Sequence, residues 1–481
     1  MRQKRDSGQM SFLNSIIKNL LTAFAAQGVS LLVSASMSLL VPKVMGVEDY
    51  GFWQLFIFYL GYSGLMLLGL NDGVYLLEGG KTRETIDKRS LSGQFCGALV
   101  LQIGMSAALL VGSSALASSN ERAFVVSAVA VYALLNNISA FIGYIFQALN
   151  ETRLFSKSIM IDRGVFLVLL LLSFGFRVSD YRIYITMYIV GKAVCLAYCL
   201  FHGYTLVNSR VQSIRAILSD CIHSIKVGFA LTISNIMGSL VLGISRLLID
   251  SGWGIVEFGY TSLALSLVSF FTVFVSQVAM VLFPALRQCN TAVQANIYRS
   301  MRNGIEIVFP AAYLLYFPIV AILSLWLPMY STSFKLFGVL LPLCVFDAKQ
   351  NICSATYLKV LREERLLLII NIATVGLSLL LSLLGMSAFH SIEMTLLGAV
   401  AAIVVRSLVS DWYLSRRMRV GQASLPAAEV LLTAVFIVTF DAVSPVLAAL
   451  LYAASYGLYL LYFRQDLMEL VDSMRRILLR R

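Results

Sequence analysis

The sequence predicts an all-α polytopic membrane protein with about 14 transmembrane helices. Of its 481 residues, 59% are hydrophobic and only 13% are charged, whereas about one-quarter of the residues in a soluble chain are charged. The hydrophobic residues come in successive runs of roughly 20, the length at which a helix crosses a bilayer. These runs do not alternate with a period of two residues, so a transmembrane barrel is not expected.

The apolar runs are separated by short polar turns. The first run is too long for the core of a signal peptide and no cleavage motif precedes Val41, so we expect a retained first span. The predicted spans are residues 16–41, 52–78, 91–117, 123–147, 159–177, 181–202, 225–248, 259–285, 303–326, 336–357, 366–386, 393–413, 427–443 and 445–463.

The basic residues indicate how these spans are oriented. The net charge of +12 is not gathered in one patch, as a nucleic-acid-binding surface would require, but is divided among the loops. Of the 37 Lys and Arg residues, 27 lie on one side, among them Arg299 and Arg302, 5 lie on the other side, and 5 lie within spans. The positive-inside rule then predicts that both termini are cytoplasmic and that the number of spans is even.

Two short motifs recur at a nearly constant spacing. Lys18 and Lys226 open the first and seventh spans, 208 positions apart, and the pattern L-x-E-x-R-L begins at Leu149 and again at Leu361, 212 positions apart. Six spans per repeat predict parallel repeats with a substrate path between them, although short basic loops can also look alike by chance. We expect an N-lobe at residues 1–208, a C-lobe at 209–420, and a C-terminal helix pair with a basic tail at 421–481.

Three stretches carry a resemblance to a known family. They are LVPKVMGVEDYGFWQ, LGLNDGVYLLEGGK and SQVAMVLFPALRQ. In these stretches the chain resembles bacterial polysaccharide flippases of the O-antigen (Wzx) type. Those flippases belong to the multidrug, oligosaccharidyl-lipid and polysaccharide exporter (MOP) superfamily. The resemblance implies a V-shaped pair of six-helix bundles, here with two additional C-terminal helices.

The same resemblance implies a function. It implies a transporter of the bacterial inner membrane, not an enzyme, that moves an undecaprenyl-pyrophosphate-linked oligosaccharide from the cytoplasmic to the periplasmic leaflet. The product is a surface polysaccharide, such as the O-antigen of lipopolysaccharide or a capsule. Alternating access is driven by a proton or sodium gradient, and no other cofactor is implied. The implied partners are the lipid-linked substrate, membrane lipids, a polysaccharide polymerase and a chain-length regulator.

Basic residues within the spans are the candidates for binding such a substrate. Pyrophosphate and sugars cannot cross hydrocarbon unshielded, and guanidinium and ammonium groups suit phosphate. Lys192 lies near the middle of its span, and we expect it to face the cavity, with a buried ion pair as the alternative. Lys349 lies beside Asp347, Gln350 and Asn351, a group that indicates a wet surface. The candidates are Lys192, Lys349, Arg406, Arg246 and Arg163.

Arg163 and Arg246 are the least specific of these candidates. Both lie near a span end, where snorkelling, or pairing with Asp162 and Asp250, competes with substrate contact.

Acidic and amide residues within the spans form a second group of candidates. A carboxyl group in a helix bundle can take up and release a proton near neutral pH, and the candidates for ion coupling are Asp72, Asp347 and Glu306. For Asp72, the alternatives are a helix break at Asn71–Gly73 or a pair with a cytoplasmic base. Candidates for the lining of a polar cavity, which could instead bond helices together, are Asn136, Asn137, Asn235 and Gln277.

Other classes of function remain as alternatives. A multidrug or metabolite antiporter of the same superfamily would favour an acidic or aromatic cavity, whereas the candidates for substrate binding here are five basic residues within the spans. A membrane-embedded polymerase or ligase would carry a large outward loop, and a channel is the remaining class. The sequence shows no nucleotide-binding loop, metal-ligand motif or nucleophile constellation, and its seven cysteines lie in or beside apolar runs.

Overall fold

The computed structural model describes residues 28, 31–116, 118–176, 178–210, 212–287, 291–420 and 425–468, and within these ranges every regular element is a helix. In chain order the helices are α1 (Leu31–Val44), α2 (Val47–Leu60), α3 (Leu70–Glu78), α4 (Lys88–Leu116), α5 (Asn120–Ala148), α6 (Thr152–Gly175), α7 (Tyr181–Val207), α8 (Ile214–Trp253), α9 (Ile255–Arg287), α10 (Thr291–Val308), α11 (Ala312–Trp326), α12 (Ser331–Leu340), α13 (Leu343–Lys349), α14 (Thr356–Val360), α15 (Glu364–Phe389), α16 (Ile392–Arg417), α17 (Leu425–Thr439) and α18 (Pro445–Tyr462).

The predicted class, an all-α polytopic membrane protein, is confirmed. In the described ranges, ten helices are long and apolar enough to cross a membrane when α10 and α11 are taken as one, and two further pairs of helices, each bent at a break, raise this number to as many as twelve. Two shorter apolar helices, α1 and α17, coincide with the end of the first predicted span and with the thirteenth. The total of 14 spans stays a prediction, and most of the first span lies outside the described residues.

Contacts divide the chain into two compact units, with the boundary between Ile236 and Met237, inside α8. The sequence places the boundary earlier, after residue 208. The first half of α8 belongs to the first unit because it packs there: Asp220 accepts a hydrogen bond from Ser90 on α4 at 2.5 Å, and Ser224 lies against Gly73 on α3.

The predicted span over residues 52–78 is broken. Its two helices, α2 and α3, differ in direction by 60°. Leu68 and Gly69 both have a positive φ, 54° and 93°, which a right-handed helix cannot contain. The sequence offered a helix break at Asn71–Gly73 as the alternative for Asp72. The break lies directly before these residues, which form the first turn of α3.

The predicted span over residues 336–357 is interrupted as well. The segments before and after Leu341 and Pro342 meet at 41°, and a proline cannot donate a main-chain hydrogen bond to the preceding turn. A π-helical turn, Gln350–Ala355, directly follows α13. Such turns inside α-helices are frequent at functional sites, and this one begins at the residue after Lys349.

The broken span crosses α8 unusually closely. A Cβ atom on Gly73 would lie 1.8 Å from the main-chain oxygen of Ser224, and a Cβ atom on Gly228 would lie 2.1 Å from the main-chain oxygen of Gly69. Only glycine therefore fits at this crossing, since the obstructing atoms are main-chain atoms and not movable side chains.

The repeated L-x-E-x-R-L motif adopts the same turn in both units. Asn150 and Arg362, at its second position, have φ values of 59° and 60°. The next residue, Glu151 or Glu363, donates its main-chain N–H to the carbonyl five residues earlier, at 2.7 and 2.8 Å. This hydrogen bond is typical of an α-helix that ends with one residue in the left-handed conformation. The shared turn supports the two motifs as counterparts in a repeat.

In both copies of this turn, the glutamate side chain pairs with an arginine. Glu151 accepts two hydrogen bonds from Arg83, at 2.5 and 2.8 Å, and this pairing raises the pKa of Arg83. Glu363 lies 3.3 Å from Arg417. In both units, the glutamate of the motif therefore links the turn between two helices to an arginine elsewhere in the same unit.

The C-terminal helix pair packs within the second unit. α17 lies against α10, and α18 lies against α11. The ring of Tyr313 on α11 stacks on Phe436 of α17 with centroids 4.7 Å apart, and Tyr452 on α18 donates a hydrogen bond to the main-chain oxygen of Pro310 at 2.9 Å. The helices that the sequence treats as an addition are therefore part of this unit's core. The end of the predicted basic tail, residues 469–481, lies outside the described residues.

Candidate functional site

Lys192 forms a buried ion pair in the first unit. Its ammonium nitrogen on α7 lies 2.6 Å from the carboxylate of Asp162 on α6, and Lys192 is only 8% exposed. The ring of Tyr132 on α5 lies 5.6 Å from the same nitrogen. This is the buried ion pair that the sequence left as the alternative, and substrate contact by Lys192 stays a prediction.

Arg163 lies beside this pair in an aromatic cluster. Its guanidinium donates a hydrogen bond to the hydroxyl of Tyr188. Tyr188 packs edge-on against Phe166, with centroids 4.9 Å apart, and Phe166 stacks on the fully buried Trp53. Arg163 therefore has an aromatic partner. The partner that the sequence offered for Arg163, Asp162, binds Lys192 instead.

Loss of one member of the Lys192–Asp162 pair should destabilise the protein. A buried charge left without its partner costs about 3–5 kcal/mol of the free energy of unfolding. We therefore expect this loss for Asp162→Ala, measured by denaturant unfolding in detergent micelles. The double variant Lys192→Met/Asp162→Leu should recover most of it. Glu78→Ala, which removes the partly exposed pair with Lys81, is the control and should cost less than about 1 kcal/mol. Equal losses in Asp162→Ala and Glu78→Ala would contradict the assignment.

Asn137 holds the broken span in place. Its side-chain amide donates hydrogen bonds to the main-chain oxygen of Ser63, in the break, and to Gln102 on α4, both at 2.9 Å. Its main-chain oxygen accepts from Asn71 on α3 at 3.2 Å, and its side-chain oxygen accepts from Asn136 at 3.3 Å. These contacts bond helices together, which the sequence left open.

Asp72, the residue after Asn71 on α3, contacts α8. Its carboxylate accepts a hydrogen bond from the hydroxyl of Thr232 on α8, next to the close crossing of these helices. Asn235 lies one turn further along α8 and is exposed. Gln277 lies on α9, and its side chain is outside the described part of the chain.

The second unit contains a larger buried group of charges. Lys349 on α13 lies 2.6 Å from Glu306 on α10 and 2.9 Å from Glu429 on α17. All three residues are 0% exposed. The wet surface predicted for Lys349 is therefore wrong for this residue, because the C-terminal helix pair covers it.

Two more charged residues extend this group. Arg302 on α10 lies 3.9 Å from Glu306 and 4.0 Å from Asp411 on α16, and it donates a hydrogen bond to Ser415 at 2.8 Å. Asp411 also accepts from the hydroxyl of Tyr298 at 2.6 Å. The Lys349 cluster is hereafter the set Arg302, Glu306, Lys349, Asp411 and Glu429.

Arg302 requires a correction. The sequence assigns it to a cytoplasmic loop before a span that begins at residue 303. The structure begins α10 at Thr291, so Arg302 lies well inside the helix and is 2% exposed. Its carboxylate partners on α10 and α16 allow the burial of its charge.

The remaining basic candidates have partners of their own. Arg406 on α16 lies 2.5 Å from Asp347 on α13, and Asn351 donates to the other carboxylate oxygen of Asp347 at 3.1 Å. This carboxylate is half-buried. Arg246 on α8 donates to Ser262 at 2.7 Å and lies over the ring of Phe258.

Sequence reasoning missed Glu429 and Asp411 as members of the site. Glu429 was detectable, because it stands alone among apolar residues in the stretch LPAAEVLLTAVFIV, and intramembrane carboxyls are functional candidates. Asp411 was not detectable in this way. It lies near the end of its predicted span and shortly before a run of basic residues, where charged residues are common.

The comparisons with known proteins agree with this architecture. Residues 79–290, somewhat less than half of the chain, match the family model described as polysaccharide biosynthesis protein. Over this part of the chain, the match supports the resemblance to polysaccharide flippases noted from the sequence. No curated protein matches the sequence.

Solved structures share the fold across most of the chain. The lipid II flippase MurJ in an inward closed conformation has a TM-score of 0.67 at 11% identity, covering 93% of this chain and 99% of its own. An inward-facing multidrug resistance MATE family transporter of the MOP superfamily has a TM-score of 0.58 at 14% identity, covering 81% and 98%. A MOP superfamily transporter from Pyrococcus furiosus has a TM-score of 0.52 at 13% identity, covering 85% and 96%. The chain therefore shares its helical fold with these three proteins.

Proposed function

We propose that this protein flips undecaprenyl-pyrophosphate-linked oligosaccharide units from the cytoplasmic to the periplasmic leaflet of the bacterial inner membrane, for the synthesis of a surface polysaccharide such as O-antigen or capsule. The observation that carries the proposal is the polysaccharide biosynthesis match over residues 79–290, within a fold shared with a lipid II flippase. Flipping proceeds by alternating access and is coupled to a proton or sodium gradient. A polymerase and a chain-length regulator are the partners that would use the flipped units.

The ion pairs constrain how such a substrate is bound. A pyrophosphate is an anion that competes with a carboxylate for guanidinium or ammonium groups. The Arg406–Asp347 pair suits this exchange. The carboxylate of Asp347 is only half-buried, and the guanidinium of Arg406 can donate hydrogen bonds to two phosphate oxygens. Lys192, Arg246 and Arg163 are the other basic groups proposed for the same role. Lys349 is not, because it is fully buried between Glu306 and Glu429.

The experiment that tests this function uses a deletion strain. We expect loss of the surface polysaccharide and accumulation of complete lipid-linked units on the cytoplasmic leaflet, measured by extraction and by a leaflet-specific label. The wild-type chain on a plasmid should restore the polymer. Lipid-linked units found in the periplasmic leaflet of the deletion strain would overturn the proposal in favour of polymerisation or ligation.

A second candidate function is a multidrug or metabolite antiporter. The fold shared with the multidrug resistance MATE transporter favours this candidate. If the protein is an antiporter, we expect unchanged surface polymer and raised drug sensitivity in the same deletion strain. The same cells therefore distinguish the two functions.

A further inference from the structure

The Lys349 cluster carries an uneven number of charges. Arg302 and Lys349 supply two positive charges, and the carboxyl groups of Glu306, Asp411 and Glu429 supply three negative charges when all are ionised. Each of the five residues is buried. The cluster would therefore enclose one net negative charge, which a protein interior does not tolerate without compensation.

Two carboxylate oxygens of the cluster have no hydrogen-bond partner among the described residues. They are Oε2 of Glu306 and Oε1 of Glu429. The other oxygen of each residue binds the ammonium group of Lys349. Oε2 of Glu306 faces Nε of Arg302, but at 3.9 Å, beyond hydrogen-bond distance. A buried carboxylate oxygen without a hydrogen bond is costly, and protonation of the carboxyl group removes its charge.

We propose that the Lys349 cluster holds one exchangeable proton, carried by Glu306 or Glu429. The added proton cancels the excess charge and leaves Lys349 paired with the remaining carboxylate. The proton is the ligand of this site. Its use as the coupling ion rests on the proposed function, whereas its presence does not.

Several tyrosines of the described residues beside the cluster already have hydrogen-bond partners. Tyr298 uses its hydroxyl on Asp411, Tyr313 lies with its hydroxyl 3.0 Å from Thr433, and Tyr459 donates to the main-chain oxygen of Glu306 at 2.9 Å. The other titratable groups near the cluster are Cys353 in the π-helical turn and Asp466, which accepts a hydrogen bond from Asn303.

A metal ion is a poor alternative at this position. The ammonium of Lys349 already lies between the two glutamates, and a cation beside it would be repelled. Among the described residues, no group of three or more His, Cys, Asp or Glu side chains has the arrangement to hold a metal ion. The site therefore favours a proton over sodium.

The position of Lys349 connects this proton to helix movement. Lys349 ends α13, and the π-helical turn begins at the next residue. A change in the register of this turn would rotate Lys349 away from Glu306 and Glu429 and expose the carboxyl group to water. Proton release is thereby tied to a rearrangement of the interrupted span over residues 336–357.

Infrared difference spectroscopy on the full-length protein in lipid nanodiscs tests the proposal by counting protonated carboxyl groups at neutral pH. Glu429→Gln and Glu306→Gln each leave equal numbers of charges, so each should lose one protonated carboxyl group relative to wild type. Lys349→Met should gain one, because two positive charges become one. Glu364→Gln, at an exposed residue at the start of α15, is the matched control and should leave the count unchanged.

The outcome that overturns the proposal is an unchanged count in both Glu→Gln variants. A protonated signal that disappears when sodium replaces a large organic cation would also overturn it, since sodium would then be the neutralising ion. The Glu→Gln variants bury no unpaired charge and are expected to fold, so the result does not depend on the Lys349→Met variant. Because the measurement detects the proton and not flipping, it stands or fails separately from the proposed function.

Discussion

Replacing Lys349 by methionine is expected to lower the free energy of unfolding by about 5 kcal/mol, the upper end for a broken buried ion pair. The effect is large because one ammonium group binds two carboxyl groups, at 2.6 and 2.9 Å, and all three residues are fully buried. Denaturant unfolding in detergent micelles, followed by size-exclusion chromatography of the soluble fraction, measures the loss.

Two further variants make this prediction specific. Lys335→Met removes a lysine that is 45% exposed and pairs with Glu393 and Asp441 at the surface, so it should cost less than about 1 kcal/mol. The triple variant Lys349→Met/Glu306→Gln/Glu429→Gln removes the two carboxylates together with the ammonium group and should recover much of the stability. A Lys349→Met protein as stable as Lys335→Met would show that the cluster contributes nothing to folding.

Replacing Gly73 by alanine is expected to cost about 3 kcal/mol, the upper end for overpacking. The added Cβ atom would lie 1.8 Å from the main-chain oxygen of Ser224, so α3 and α8 must move apart as whole helices. The displacement also separates Asp72 from Thr232. Thermal unfolding of the purified protein, followed by tryptophan fluorescence, gives the change.

A matched glycine serves as the control. Gly104 lies on α4 with no atom within 4 Å of an added Cβ, so Gly104→Ala should stabilise the protein by about 0.5–1 kcal/mol through the unfolded chain and helix propensity. Gly228→Ala should resemble Gly73→Ala, because its Cβ would meet the main chain of Gly69 at 2.1 Å. If Gly73→Ala behaved like Gly104→Ala, the close crossing would be refuted.

The sequence predicts most of the helices because length and hydrophobicity decide them locally. A run of about 20 apolar residues has few folds available in a bilayer. The break at Leu68 and Gly69 could not be read in this way, because Gly69 takes its positive φ where α3 meets Gly228 on α8, a contact between residues far apart in the chain.

The same limit applies to the site. Lys192, Lys349 and Arg406 stand out as charges within apolar runs, but their partners lie 30, 43 and 59 positions away on other helices. Which carboxylate neutralises which base depends on helix packing, and the sequence does not specify that packing. Arg302 was misassigned for a related reason: α10 begins before the apolar run that predicts it.

The contribution of Glu429 from α17 has a consequence for the order of assembly. Lys349 and Glu306 are 43 positions apart, whereas Glu429 follows Lys349 by 80 positions. At a synthesis rate of about 5–20 residues per second, the ribosome adds these 80 residues in roughly 4–16 s. Once Asp411 has been added, 62 positions after Lys349, the cluster has two positive and two negative charges, and the excess carboxyl group arrives only with the thirteenth predicted span. The proton therefore enters last, together with the helix that seals the cluster from lipid, and insertion of the C-terminal helices is the step that completes the second unit.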